Sequence, residues 1–123
     1  MNRGAKLIAN LCRREASALS KVSFSGGVSI DPFPPTVGEN VSVTYSGLLK
    51  ESGADRVYAH IGYGLGQWSG IKDVEMTRQG DTFVAHVKME SADMFNLCFK
   101  DSANNWDNNS GHNWSTKISS RRY

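Results

Sequence analysis

A chain of 123 residues fits one domain, and at this size it buries enough apolar surface to fold without disulfides or a metal. Its 39% hydrophobic and 21% charged residues are an ordinary globular mixture. Lys and Arg outnumber Asp and Glu by 14 to 12, a net charge of +2, which is too slight an excess to argue for nucleic acid or an anionic membrane as partner.

Residues 4–20 read as a helix, because Leu7, Ile8, Leu11, Cys12 and Leu19 recur at helical spacing with Lys6, Arg13, Arg14 and Glu15 between them. Residues 1–27 are therefore expected to be an N-terminal helical extension or tail. Its apolar stripe either docks on the domain's own core or engages a partner protein or membrane surface. The apolar run of residues 7–12 contains Asn10 and leads straight into Arg13-Arg14-Glu15, unlike a secretory signal. No run reaches transmembrane length. The expected location is cytoplasmic, or secreted if the chain is a fragment of a larger protein.

From Val22 onward the texture is that of strands. Val22-Ser23-Phe24 alternates before Gly26-Gly27 breaks it, and residues 28–35 read as a strand end followed by a stiff connection holding all three prolines. Residues 41–45 alternate strictly, as a half-buried strand does. Gly47 and Ser52-Gly53 mark the loop after it. Residues 56–63 place Val57, Ala59 and Ile61 on one face and Tyr58, His60 and Gly62 on the other, and a Gly-rich loop around Trp68 follows. Residues 73–77 and 82–89 suggest a hairpin closed by Gln79-Gly80-Asp81, with Phe83, Ala85 and Val87 opposite Val84, His86 and Lys88. Residues 94–99 are the most apolar run and so the expected central strand; a polar loop over 100–111 and a last strand over 113–118 complete the chain. Seven or eight short strands between turn signals predict an all-β antiparallel sandwich over residues 28–123.

The chemistry is concentrated in two loops. Trp68 and Trp106 lie among Gly, Asn, Ser and Asp with almost no apolar neighbours, whereas Phe83, Phe95 and Phe99 sit in strands at core spacing. A sugar ring has an apolar face of C–H bonds and a rim of hydroxyls. An indole offers the face a flat platform, and Asn, Asp and His side chains satisfy the rim. Residues 101–109 hold that mixture around Trp106. The same composition also suits a turn-rich hairpin whose Trp covers a sheet end.

Val57-Tyr58-Ala59-His60-Ile61-Gly62-Tyr63-Gly64, with Trp68 eight residues after the His, resembles the first half of the starch-binding site of carbohydrate-binding module families 25 and 53. Phe99-Lys100-Asp101, Trp106-Asp107-Asn108-Asn109-Ser110-Gly111 and Asn113-Trp114 resemble the second half, so the likeness covers about residues 28–118. The resemblance implies an immunoglobulin-like β-sandwich that binds α-1,4-glucan (starch, glycogen or malto-oligosaccharides) without catalysis. It also implies a site of one His and two Trp, which here are His60, Trp68 and Trp106. Asn108 and Asn109 would either bond sugar hydroxyls or hold the loop that aims Trp106. The chain departs from the family at Ser110-Gly111 and Trp114, where members often carry Gly-Gly and Tyr, and Trp114 is expected to pack. A glucan-metabolising enzyme is the protein partner such a module suggests.

Other chemistries find less support. Asp101 and Asp107 share a loop, and glycoside hydrolysis needs a carboxylate pair, but Asp in an Asn-rich stretch is ordinarily a turn former. His60, His86 and His112 are not set in a nucleophile motif. Residues 101–106 begin like a calcium loop but have Ala103 and Trp106 at positions that should carry a ligand and a sharp-turn Gly. No cofactor is expected, and Cys12 and Cys98 would pair only in an oxidising compartment. The rival reading is a β-sandwich protein-interaction module with no sugar ligand.

Overall fold

A computed structural model describes residues 21–120. The helix expected over residues 4–20, and Cys12 with it, lies outside the described residues. Ten short strands and one helical turn make two sheets: β1 (Val22–Phe24), β2 (Val28–Asp31), β3 (Asn40–Tyr45), α1 (Leu48–Glu51), β4 (Val57–Tyr63), β5 (Ser69–Glu75), β6 (Thr77–Gln79), β7 (Thr82–Lys88), β8 (Met94–Asp101), β9 (Trp106–Asp107) and β10 (Trp114–Lys117). The first sheet runs β1-β2-β3-β7-β6 and the second β10-β8-β4-β5, with β9 also paired to β8. Every ladder is antiparallel. β1 pairs with β2, so the first sheet already includes residues 22–24.

The sandwich forms because alternating strands bury one face each. Val41, Val43 and Tyr45 of β3 and Phe83, Ala85 and Val87 of β7 meet Val57, Ala59 and Ile61 of β4 and Phe95, Leu97 and Phe99 of β8, all buried. β8, the most apolar run, is central as expected, lying between β10 and β4. Tyr45 stacks on Phe99 with ring centroids 4.1 Å apart, and Trp114 meets Phe99 edge-on at 5.4 Å. The Trp114 indole also donates to the Ser25 carbonyl at 2.8 Å, so this residue packs, as expected.

Three sequence expectations need correction. The loop after β3 contains a helical turn, α1, whose Leu49 is buried; this is the helix of the described chain, and it lies in mid-sequence. The hairpin expected over 73–77 and 82–89 forms with its turn at Gly80-Asp81, but its first strand is residues 77–79 and residues 73–75 belong to the other sheet. An extended chain from Ser69 to Gln79 serves both sheets, with β5 pairing β4, buried Met76 at the crossing, and β6 pairing β7. The first half of β5 escaped notice because six of its seven residues are exposed, so it carries no alternation to read. Finally, the polar stretch 100–111 is not all loop. β8 runs on to Asp101, and Trp106-Asp107 return as β9 against Lys100 and Phe99.

Candidate functional site

The outer face of the second sheet is built by cross-strand register. His60 on β4 stands opposite Cys98 on β8 and Asp73 on β5, while Tyr58 stands opposite Lys100, which in turn stands opposite Trp106 on β9. Two indole rings are brought within contact of one imidazole. His60 and Trp68 have centroids 5.9 Å apart and a tilt of 33°, and His60 and Trp106 are 5.1 Å apart at 88°. One indole is tilted by about a third of a right angle from the imidazole and the other is perpendicular to it, so the two indole planes are steeply inclined to each other.

Trp68 takes its place through a glycine. A Cβ on Gly62 would lie 2.8 Å from both Cβ and Cε3 of Trp68, so the indole rests directly on the bare backbone of β4. The Gly-rich loop leading to it is tied down by Asn96, whose Nδ2 donates to the Gly64 carbonyl at 2.8 Å and whose Oδ1 accepts from Ser115 Oγ at 2.7 Å. Trp106 is held from beneath. Its neighbour Asp107 is buried, and Asp107 Oδ2 accepts from the Tyr45 hydroxyl at 2.5 Å. The same hydroxyl accepts the Leu49 N–H at 3.0 Å, which locks α1 and β9 to one point in the core. Burial, and then the bond to Asp107, push the Tyr45 phenol well above its ordinary pKa. It stays a neutral donor.

Beneath the rings runs a charged line. Asp73 Oδ1 lies 2.5 Å from His60 Nδ1, and its Oδ2 lies 3.1 Å from Lys100 Nζ. Partial burial pushes the Asp73 carboxyl up, but hydrogen bonds from His60 and Lys100 outweigh it and hold the pKa below the usual carboxylate value. An ionised carboxylate only accepts, so the Nδ1 of His60 carries the hydrogen and Nε2 is the nitrogen left for a ligand. The Lys100 ammonium sits 5.4 Å from the Trp106 ring centre and 5.9 Å from that of Tyr58, in cation–π range of both. Cys98 is a free, buried thiol on this face, pushed up to about 11 by burial and then by the negative charges of Asp73 and Asp107.

Of the five residues singled out from the sequence, His60, Trp68 and Trp106 converge. Asn108 and Asn109 do not join them on this face. Asn109 is left-handed (φ 58°) and donates from Nδ2 to the Asn113 carbonyl at 3.0 Å, while Asn108 Oδ1 accepts the Gly111 N–H at 3.0 Å. Both side chains hold the loop that follows Trp106. Asp101 is a turn former, its Oδ1 accepting the N–H groups of Ala103 and Asn105. No group of three or more His, Cys, Asp or Glu side chains that could hold a metal occurs among the described residues. Sequence reasoning missed Asp73, thirteen residues from His60 and on a strand with no pattern. It also missed Tyr45, which reads as an ordinary core aromatic. Lys100 was visible only as part of the Phe99-Lys100-Asp101 string.

Two clefts are bordered by Trp106 and not by His60. One of about 640 Å³ is bordered by Gly26, Gly47, Leu48, Glu51 and Asn108, and one of about 520 Å³ by Ser52 and Asn105.

Residues 41–97 match the family model described as starch/carbohydrate-binding module (family 53). An α-amylase of Clostridium acetobutylicum is 30% identical over 89 residues, which are 71% of this chain and 11% of that protein, so the chain spans a small part of that relative. No solved structure gives a significant match. The family match takes in His60 and Trp68 and ends before Trp106. Over residues 41–97, a little under half of its length, the chain is similar to the starch/carbohydrate-binding modules of family 53.

Proposed function

We propose that residues 28–123 form a non-catalytic, immunoglobulin-like sandwich domain that binds α-1,4-glucan, whether starch, glycogen or malto-oligosaccharide, through His60, Trp68 and Trp106. The observation that carries this reading is the pair of steeply inclined indoles in contact with one imidazole. Neighbouring glucose units of an α-1,4 chain turn relative to one another, so a curved chain meets both platforms where a flat β-linked chain meets one. Trp68 and Trp106 stack on sugar faces, and Nε2 of His60 bonds a hydroxyl between them. Asn108 and Asn109 support the loop that aims Trp106. By analogy with stacking on bases, each indole contributes about 1–3 kcal/mol. Ordering the oligosaccharide offsets part of that, which sets a single-site Kd on the order of 10 μM to 1 mM. The α-amylase relative is consistent with a partner enzyme that acts on the same polymer.

The test is affinity electrophoresis of the full chain through gels containing soluble starch, glycogen, a soluble cellulose derivative or no polysaccharide. Wild type should be retarded by the α-glucans alone, and the double variant Trp68→Ala, Trp106→Ala by none, with its unfolding transition retained. Retardation that survives both substitutions would overturn the site. No retardation of wild type would favour a protein-interaction sandwich.

A further inference from the structure

We infer that the bound glucan chain continues past Trp106 into the cleft of about 640 Å³ between α1 and the loop after β9, making this cleft a second subsite for the same polymer. The inference rests on the glucan reading of the platform and extends it. Continuity is the first argument: Trp106 is a wall of the cleft as well as a ring of the platform, and it is 44% exposed. The cleft has the size of a small-molecule site. Its floor is backbone, because Gly26 and Gly47 cannot carry side chains there. A Cβ on Gly26 would lie 2.7 Å from the Trp114 ring, and one on Gly47 would lie 2.7 Å from the Tyr45 ring.

The lining is of the kind a sugar needs. Leu48, 59% exposed at the start of α1, lines the cleft together with Trp106 and offers a second apolar surface. The Glu51 carboxylate and the exposed Asn108 amide stand beside it, an acceptor and a donor for hydroxyl groups. The wider surface gives a second argument. Among the described residues the large exposed hydrophobics are Leu48, Leu65, Ile71 and Trp106. Ile71 lies beside Trp68 over Gly62, Leu65 is three residues before Trp68, and Leu48 and Trp106 border the cleft. Exposed apolar residues thus lie both beside Trp68 and at the cleft that Trp106 borders, more than the three rings alone require.

The test is isothermal titration of the full chain with maltotriose and maltoheptaose, using wild type and the variants Leu48→Ala and Glu51→Ala. Both residues are exposed, Glu51 borders this cleft and not its neighbour, and thermal unfolding checks that each variant folds. A longer chain gains affinity merely by having more registers, but that gain is the same in every variant. Each substitution should weaken maltoheptaose by about three- to tenfold and leave maltotriose unchanged, because a trisaccharide is held by Trp68, His60 and Trp106 alone. Equal effects on both sugars, or none on either, would overturn the second subsite while the platform stands. Failure of wild type to bind either sugar would overturn the glucan reading and the subsite with it.

Discussion

Gly62→Ala acts chiefly on the placement of Trp68, with Ile71 Cγ1 the next atom in its way at 3.3 Å. The added methyl would lie 2.8 Å from Cβ and Cε3 of Trp68, where ordinary carbon contacts are about 3.5–4.0 Å. The indole must therefore withdraw by roughly 0.7–1.2 Å or swing away. Gly62 does not have the positive φ of the turn glycines, so alanine fits the backbone itself. Overpacking inside a core costs about 1–3 kcal/mol, and a partly exposed ring relaxes more easily than a core one, so the stability loss should fall at or below the low end. Binding should suffer more. If stacking on Trp68 contributes about 1–3 kcal/mol, its misplacement weakens maltoheptaose about five- to a hundredfold in a titration. Once Trp68→Ala is made, Gly62→Ala should cost no further affinity, since the ring it displaces is gone, although its methyl still meets the Cβ that residue 68 keeps. Wild-type affinity in Gly62→Ala, or losses that simply add in the double variant, would refute the claim that the bare backbone of β4 seats the indole.

Tyr45→Phe should lower stability by about 3 kcal/mol, because it strips a charge-assisted bond from buried Asp107 and orphans the Leu49 N–H; the urea midpoint falls with an unchanged slope, and a loss under about 1 kcal/mol contradicts the lock. Asp73 has a folded pKa below its ordinary 3.8, so the folded state binds its proton less readily than the unfolded chain does. Its stabilisation is complete above that ordinary value and disappears as pH falls through the lower folded pKa; Asp73→Asn should remove this part of the acid limb of a stability–pH curve, and an unchanged limb would count against the His60–Asp73–Lys100 line. Cys98, with its thiol held near 11, should resist iodoacetamide at neutral pH and react fully in denaturant, followed on the peptide that carries it; rapid native labelling would mean that the outer face does not cover it.

Much of the sandwich was legible because half-buried strands announce themselves. Val41-Ser42-Val43-Thr44-Tyr45, residues 57–63 and residues 82–88 alternate, and each buries the side that the alternation names. The same alternation put His60 on the outer face, and the polar company of Trp68 and Trp106 marked them as surface rings. Where burial imposes no pattern, the reading fell short. β5 is an edge strand with exposed residues on both faces, and the two-residue β9 is too short to have a period at all. α1 is a single turn whose buried Leu49 gives no helical repeat.

Residue type and period are local properties, and they decide which side of a strand meets the core, because burying an apolar side chain is favourable whatever lies opposite. Meetings between distant residues are set by register. Asp73 reaches His60 because β5 pairs with β4 at one offset, and a slip of one residue would turn its carboxylate to the other face. Trp106 reaches His60 because β9 closes on Lys100 and because Tyr45, sixty-two residues earlier, holds Asp107 from below. Such offsets are fixed by the summed packing of both sheets, not by any short stretch of chain. The rings of the platform could thus be named in advance, while the polar residues that aim them came into view when the two sheets were closed.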